Sequence, residues 1–221
     1  MKTYFGNNYD FEKIPKELQK IISKKLDFEK GIALNQSLLE NLFCLFVCII
    51  NKIPLFIVGK PGCSKSLSVL SILKYMNGID STKEFFKSQP KVRPFKYQGS
   101  LISTSEGIKE VFNNARKGLN PNEKDEIIPL IFFEEMGLAE ISENNPLKVI
   151  HSELEYDEQR IKVSFVGISN WSLDASKMNR GIYLSIPELG KDDLINTALS
   201  ISDSYSNKIK EQFKNYIEGL A

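Results

Sequence analysis

The sequence predicts an α/β fold in which a parallel β-sheet is flanked by α-helices on both faces. Short apolar segments typical of buried strands alternate along the chain with longer segments whose apolar residues recur at helical spacing. One apolar segment, residues 54–58, leads into a glycine-containing turn and then a helix, and another, residues 127–133, ends in two glutamates. Parallel sheets of this kind bind ligands beyond the carboxyl ends of their strands.

Two helices are predicted before the first strand. The first covers residues 12–26, and we expect it to pack against the protein through Ile14, Leu18, Ile21, Ile22 and Leu26. The second runs from Asn35 to Ile50 and reads as a buried helix. Its apolar run is well short of the roughly 18 residues that a membrane-spanning helix requires, so we expect no membrane span.

The middle of the chain predicts an edge strand, a helix and a central strand. Pro94 cannot donate a ladder hydrogen bond, so it confines a strand at residues 93–98 to an edge or to the strand's start. Ser103 and Glu106 have the spacing of a capping box, which predicts a helix that ends at Gly118. The nearly continuous apolar run at 127–133 predicts a strand that is covered on both faces.

The last third of the chain continues the alternation and then changes character. The predicted elements are a helix at 147–154, a strand at 163–168, a short helix at 174–178, a strand at 181–186, and helices at 192–201 and 206–220. Pro146 suits the first position of the helix at 147–154. Beyond Pro187 no further strand is predicted, and the last two helices resemble the start of a helical lid.

Composition excludes several classes of function. The chain has 221 residues, 42% of them hydrophobic, and 29 basic against 28 acidic residues. A net charge of +1 gives no sign of a nucleic-acid or membrane partner held by bulk electrostatics. The N-terminus lacks the pattern of a secretory signal, so we expect a cytoplasmic protein. The three cysteines do not form a disulfide framework.

The segment between the first predicted strand and its helix predicts a phosphate-binding loop. It consists of Gly59, Lys60, Pro61, Gly62, Cys63, Ser64, Lys65 and Ser66. A strand that turns into a helix leaves backbone N–H groups pointing at one spot, where the helix dipole also favours an anion. Lys65 can reach the outer phosphates of a nucleotide, and the Ser66 hydroxyl can hold Mg²⁺. Ser64 stands where the general motif has glycine.

Polar residues at later strand ends supply the other groups that nucleotide hydrolysis needs. Glu134 could hold Mg²⁺, and Glu135 could orient or deprotonate the attacking water, although a solvated acidic strand end is the plain alternative. Asn170 could bind that water or the terminal phosphate, or it could be only a turn residue. Arg180 could project to the nucleotide of a neighbouring subunit, or it could be an ordinary surface arginine.

This order of groups resembles the AAA+ ATPase core, a P-loop NTPase fold whose strand order is 5-1-4-3-2. The resemblance covers most of residues 31–190. More specific blocks occur in order along the chain: GKPGCSKSL from Gly59, GLAE from Gly137, NPLK from Asn145, GISNW from Gly167 and KMNRGI from Lys177. Together they are similar to the AAA+ modules of the mysterin type, giant RING-finger ubiquitin ligases with a dynein-like ATPase ring.

The resemblance implies an organisation, a ligand and partners. It implies an N-terminal helical extension at 1–30, a large α/β nucleotide-binding subdomain at 31–190 and the start of a helical lid at 191–221. ATP and Mg²⁺ are the implied ligands. Neighbouring AAA+ modules, of the same or another chain, are the implied partners, and a protein substrate could act through a larger parent protein. The chain has no RING-type cysteine cluster, so any ligase activity would lie outside these residues.

Two departures from the AAA+ pattern leave alternatives open. The resemblance makes Ser64 a feature of the mysterin group. Glu134 replaces the usual Asp and is longer by one methylene, which could misplace Mg²⁺. The first hypothesis is therefore an ATP-hydrolysing module, and the second is a structural module that keeps ATP bound without turnover. A P-loop kinase is a weaker third, because Asn170 and Arg180 have no obvious role in one.

Overall fold

The computed structural model describes residues 13–118, 127–155, 160–202 and 205. The helices are α1 (Lys13–Ser23), α2 (Gln36–Ile50), α3 (Lys65–Tyr75), α4 (Glu84–Lys87), α5 (Ser105–Lys117), α6 (Met136–Glu140), α7 (Lys148–Leu154), α8 (Ala175–Met178) and α9 (Lys191–Ser202). The strands are β1 (Leu55–Val58), β2 (Lys91–Gln98), β3 (Ile127–Glu134), β4 (Ser164–Ser169) and β5 (Ile182–Ser185). A short 3₁₀ helix spans Gly78–Asp80.

The strands form one sheet in the order β2-β3-β4-β1-β5. Every neighbouring pair is parallel. This order is the predicted 5-1-4-3-2 counted from the opposite edge, so the predicted fold is confirmed. Pro94 lies in the edge strand β2, where its missing N–H costs no ladder hydrogen bond.

Apolar cores cover both faces of the sheet. Successive side chains of a strand point to opposite faces, and in β1 Leu55 and Ile57 pack with residues of α2 and α3. Phe56 and Val58 pack instead with residues of α5, α6 and α7. The helices therefore bury both faces of the sheet. The carboxyl ends of the central strands remain uncovered, and the polar loops lie there.

The start of α5 differs from the prediction by one residue. Thr104 is the N-cap, and its hydroxyl accepts a hydrogen bond from the Gly107 backbone N–H at 3.2 Å. The predicted capping box of Ser103 and Glu106 is therefore wrong. The Ser103 hydroxyl accepts from the Ser100 backbone N–H at 2.9 Å and closes the loop between β2 and α5. Two hydroxyl residues in sequence compete for the cap, and the shape of that loop decides between them.

The helices predicted near the two ends of the chain are confirmed only in part. Ile22 and Leu26 are buried as expected, but Ile14, Leu18 and Ile21 of α1 are exposed, so the expectation that all five residues pack is wrong. The predicted helix at 206–220 lies outside the described residues. None of the helices in the described ranges combines the length and the apolar character needed to cross a bilayer.

Candidate functional site

A cavity of about 390 Å³ lies at the carboxyl ends of β1, β3 and β4. Its volume falls within the range of roughly 300–1,000 Å³ that is usual for small-molecule sites. It is lined by Pro61, Gly62, Cys63, Ser64, Lys65, Ser66, Leu67, Gln98, Glu134, Glu135, Ile168 and Asn170. Because β4 lies between β1 and β3 in the sheet, the loop after β1 faces the acidic pair at the end of β3 across the end of β4.

The phosphate loop turns through two left-handed backbone positions. Gly62 has φ +90°, a value that glycine adopts without steric cost. Ser64 has φ 56° and ψ 21° and is the N-cap of α3. A left-handed conformation costs a residue with a Cβ roughly 1–2 kcal/mol, which explains why the general motif has glycine here. Ser64 thus adopts a backbone conformation that favours glycine, at a cost in strain.

Lys65 is held inside its own loop. The side chain is only 6% exposed, and its Nζ donates to the carbonyl oxygens of Gly59 at 2.5 Å and Lys60 at 2.9 Å. Burial lowers the pKa of Lys65 from its ordinary value, while Cys63 and the carboxylate of Glu135 oppose this shift. An anion in the cavity would interact more strongly with this ammonium group than neutral carbonyls do.

The acidic pair stands where a buried strand meets a short helix. Glu134 is the last residue of β3, and Glu135 is the N-cap of α6 with φ 52° and ψ 43°. The Asn170 Nδ2 donates to the two carboxylate oxygens of Glu135 at 3.0 and 3.3 Å. The structure thus brings Glu135 and Asn170 together on the wall of the cavity that contains Lys65.

Contacts between α6 and the segment after β4 hold this pair in place. The Trp171 ring packs so closely on Gly137 that a Cβ there would lie 2.5 Å from it. At the other end of α6, a Glu140 carboxylate oxygen accepts from the Asp174 backbone N–H at 2.8 Å and lies 3.4 Å from the Lys177 Nζ. Helix α6 is therefore fixed to the segment that follows Asn170, which keeps Glu135 beside the Asn170 amide.

Sequence reasoning missed Gly99, which follows β2 directly. Its backbone N–H donates to the Glu134 carbonyl at 2.8 Å. A Cβ at this position would lie 2.2 Å from the Glu135 carbonyl oxygen, so only glycine allows the segment after β2 to come this close to the segment after β3. Gln98, which lines the cavity, was also missed. The available signal was a glycine immediately after a strand that ends beside the acidic pair.

Arg180 lies away from the cavity. It precedes β5, whose first residue Ile182 pairs with Leu55 at the start of β1, so it is at the edge of the sheet opposite the phosphate loop. Its side chain is 43% exposed and lies 3.7 Å from the carboxylate of Glu155, which is 60% exposed. The structure therefore does not bring Arg180 to the site of its own chain.

The candidate Mg²⁺ donors are a hydroxyl and a carboxylate. Within the described residues no group of three or more His, Cys, Asp or Glu side chains could hold a metal ion. Ser66 and Glu134 both line the cavity, and oxygen donors of these two kinds suit Mg²⁺, which usually keeps several waters and binds substrate phosphates. The residues therefore fit an ion that is bound together with a nucleotide.

Comparison with known proteins is consistent with this geometry. The family model described as RNF213 AAA domain matches residues 31–193. The chain is 38% identical to zebrafish (Danio rerio) E3 ubiquitin-protein ligase rnf213-beta over 98% of its length and 4% of that protein. It is 38% identical to human E3 ubiquitin-protein ligase RNF213 over 87% of its length, again 4% of that protein.

A third relative, mouse E3 ubiquitin-protein ligase RNF213, is 35% identical over 92% of the chain and 4% of its own length. The chain thus spans about one twenty-fifth of the length of these relatives. The family match covers the five strands, the phosphate loop, the acidic pair and Asn170 together. The resemblance to the AAA+ modules of giant ubiquitin ligases is confirmed, and the chain belongs to the RNF213 AAA domain family.

Proposed function

We propose that this chain is an AAA+ module that binds ATP with Mg²⁺ at the phosphate loop and hydrolyses it. One observation carries the proposal: the cavity that contains Lys65 is also lined by Glu135, whose carboxylate is held by Asn170. Phosphoryl transfer needs a phosphate cradle, positive charge and a group that positions the attacking water. These groups come from three separate loops that meet at one edge of the sheet.

Each residue has a distinct role in this proposal. The backbone N–H groups of the phosphate loop, from Gly59 to Ser66, bind the phosphate oxygens. Lys65 leaves the carbonyls of Gly59 and Lys60 and contacts the outer phosphates. Ser66 and Glu134 hold Mg²⁺, which neutralises charge on the phosphates when it is bound.

Glu135 then orients the attacking water and takes its proton. The Asn170 amide donates to the Glu135 carboxylate at 3.0 Å, which keeps that base turned into the cavity. We propose further that Arg180 acts on the nucleotide of a neighbouring AAA+ module, because it lies at the opposite edge of the sheet and is accessible there.

The size of the relatives supports a role inside a larger protein. Relatives that match most of this chain are named E3 ubiquitin-protein ligases, and the match takes up 4% of their length. We propose that the module serves such a protein by coupling its nucleotide state to a conformational change. Any ligase chemistry then belongs to other parts of that protein.

A second candidate function is ATP binding without turnover. Glu134 favours it, because the longer side chain moves the carboxylate relative to an Asp at that position, and misplacement near 1 Å is costly in catalysis. In that case the bound nucleotide would hold a ring of modules together.

A phosphate-release assay on the purified chain tests the proposal and separates these candidates. We expect Glu135→Gln to keep MgATP binding and to lower turnover by about 10²–10⁴-fold. Glu110→Gln, on the exposed face of α5, is the matched control and should behave as the wild type. Wild-type binding without phosphate release would favour the non-hydrolysing module. Turnover that survives Glu135→Gln would remove Glu135 from catalysis, and transfer of phosphate to a metabolite would support a kinase.

A further inference from the structure

Helix α2 places one carboxamide in an apolar core. The buried residues of α2 are Ser37, Leu38, Asn41, Leu42, Leu45, Cys48 and Ile49. The Asn41 side chain is 0% exposed. A buried amide is unfavourable unless its polar atoms are hydrogen-bonded, so a polar residue at this position calls for a specific partner.

That partner is the phosphate loop. Asn41 Nδ2 donates to the Cys63 carbonyl oxygen at 3.2 Å, across 22 positions of sequence. The Asn41 Oδ1 is buried and has no hydrogen-bond partner among the described residues. Only half of the amide is thus satisfied. An apolar side chain of similar size would avoid this cost of burial, so stability alone does not explain the residue.

The hydrogen bond from Asn41 sets the orientation of the Cys63–Ser64 peptide group. Cys63 lies between two residues with left-handed backbone, Gly62 and Ser64, so the chain reverses direction there. The Cys63–Ser64 peptide is trans, and in a trans peptide the C=O and the N–H point in opposite directions. With the Cys63 carbonyl held toward α2, the Ser64 N–H points away from α2, and Ser64 lines the cavity.

We propose that Asn41 is a positioning residue for phosphate binding. Its amide fixes the Cys63–Ser64 peptide so that the Ser64 N–H is presented to an anionic phosphate before the ligand arrives. The residue contacts no ligand itself. The other contacts of the loop are compatible with this role, because Gly59 donates to the Ser169 carbonyl at 3.2 Å and is bounded by Ile186. At Cys63 itself, the backbone N–H donates to the Lys60 carbonyl at 3.4 Å and the Sγ lies 4.0 Å from the Pro187 carbonyl oxygen, so Asn41 adds the contact that orients the Cys63 carbonyl.

The role of Asn41 in phosphate binding rests on the proposed function. Its effect on the position of the loop can be tested without nucleotide. Cys63 is 3% exposed, so the position of the loop determines whether a reagent reaches its thiol. Cys48 lies two turns along α2 from Asn41, is also buried, and reports on opening of the core. The ratio of the Cys63 to the Cys48 modification rate therefore separates movement of the loop from unfolding of the core.

The test compares Asn41→Leu with Leu45→Ala in the chain without nucleotide. Modification by an alkylating reagent is measured at each cysteine by peptide mass spectrometry. For Asn41→Leu we expect the ratio of the Cys63 to the Cys48 rate to rise about two- to tenfold, the range that corresponds to one lost hydrogen bond of ordinary strength. Leu45→Ala removes core volume from the same helix, so we expect it to accelerate both thiols together. If Asn41→Leu does not fold, Asn41→Ser provides the same comparison.

MgATP titration supplies the second readout. We expect Asn41→Leu to raise the Kd about two- to tenfold, whereas Leu45→Ala lowers the melting temperature and leaves the Kd of the folded protein unchanged. An unchanged ratio of the two rates in the Asn41 variants would overturn the inference, whatever the Kd. If the wild-type chain fails to bind MgATP, the proposed function fails, and the rate ratio still decides whether Asn41 sets the loop.

Discussion

Candidate residues lie at two edges of the sheet, the carboxyl edge formed by the carboxyl ends of the strands and the opposite edge formed by their amino ends. The two edges hold these residues in opposite ways. At the carboxyl edge, Lys65 is buried with two carbonyl partners, and Glu135 is held by the Asn170 amide. At the opposite edge, Arg180 is 43% exposed and lies 3.7 Å from a carboxylate that is itself 60% exposed. Exposed pairs of this kind contribute about 0–1 kcal/mol. The first edge is therefore organised by contacts within the chain, whereas the arginine at the second edge is exposed and weakly paired.

Under the proposed function, this difference separates the groups that act within one module from the arginine that acts on a neighbouring one. The groups at the carboxyl edge are held by contacts within the described residues, and of these only the Lys65 side chain has to change partners when a nucleotide binds. An arginine that acts in a neighbouring module must instead remain weakly bound in its own. Variants at the two edges should therefore differ sharply in their effect on the isolated chain.

The largest effect is expected for Lys65→Ala. Removing the buried ammonium group deletes a charge-assisted contact with the phosphates, which is worth about 3 kcal/mol, or on the order of 100-fold in Kd. Titration with MgATP measures this change. Lys74→Ala, at an exposed position of the same helix, is the matched control and should leave the Kd unchanged. If both variants bind as the wild type does, the carboxyl edge is not the nucleotide site.

Gly99→Ala is expected to destabilise the protein at the carboxyl edge, although Gly99 itself does not line the cavity. The added Cβ would lie 2.2 Å from the Glu135 carbonyl oxygen, so β2 or the start of α6 must shift. Overpacking of this kind costs about 2 kcal/mol, or about 4–8 °C in melting temperature for a chain of this size. Gly190→Ala, where a Cβ meets nothing within 4 Å, is the control. Equal melting temperatures for the two variants would contradict the close approach.

Ser64→Gly is expected to raise the stability of the protein slightly, whereas Gly99→Ala lowers it. Glycine relieves the left-handed backbone at φ 56°, but it also loses more conformational entropy on folding. We expect a net gain of about 1 kcal/mol or less, seen as a rise in melting temperature. Ser71→Gly, inside the same helix, should instead lower it by about 0.5–1 kcal/mol. A destabilised Ser64→Gly would show that the serine side chain itself supports the loop.

The smallest effect in the isolated chain is expected for Arg180→Ala. Loss of one exposed ion pair should change the free energy of unfolding by less than about 0.5 kcal/mol and leave the Kd for MgATP unchanged. Denaturant unfolding and nucleotide titration measure both quantities. A marked loss of affinity would place Arg180 in the site of its own chain and would remove the contrast between the edges.

The sequence predicted the parts of the molecule that depend on local pattern. Apolar runs predicted the strands, and the turn at Gly59 and the acidic pair at the end of β3 predicted residues that line the candidate cavity. The residues that it missed act through contacts that are distant in sequence. Gly99 matters because β2 lies beside β3, and Asn41 matters because α2 passes beside the phosphate loop. A glycine after a strand and an asparagine in an apolar helix are visible in the sequence, but their partners become evident only in the fold.

The most direct test of the account is an experimental structure of this chain with MgATP or a non-hydrolysable analogue. We predict that the phosphates lie in the loop from Gly59 to Ser66, with the Lys65 Nζ moved from the carbonyls of Gly59 and Lys60 to a phosphate oxygen. We also predict that the Glu135 carboxylate faces the terminal phosphate. A nucleotide bound elsewhere, or Lys65 still on its own loop carbonyls, would contradict the account.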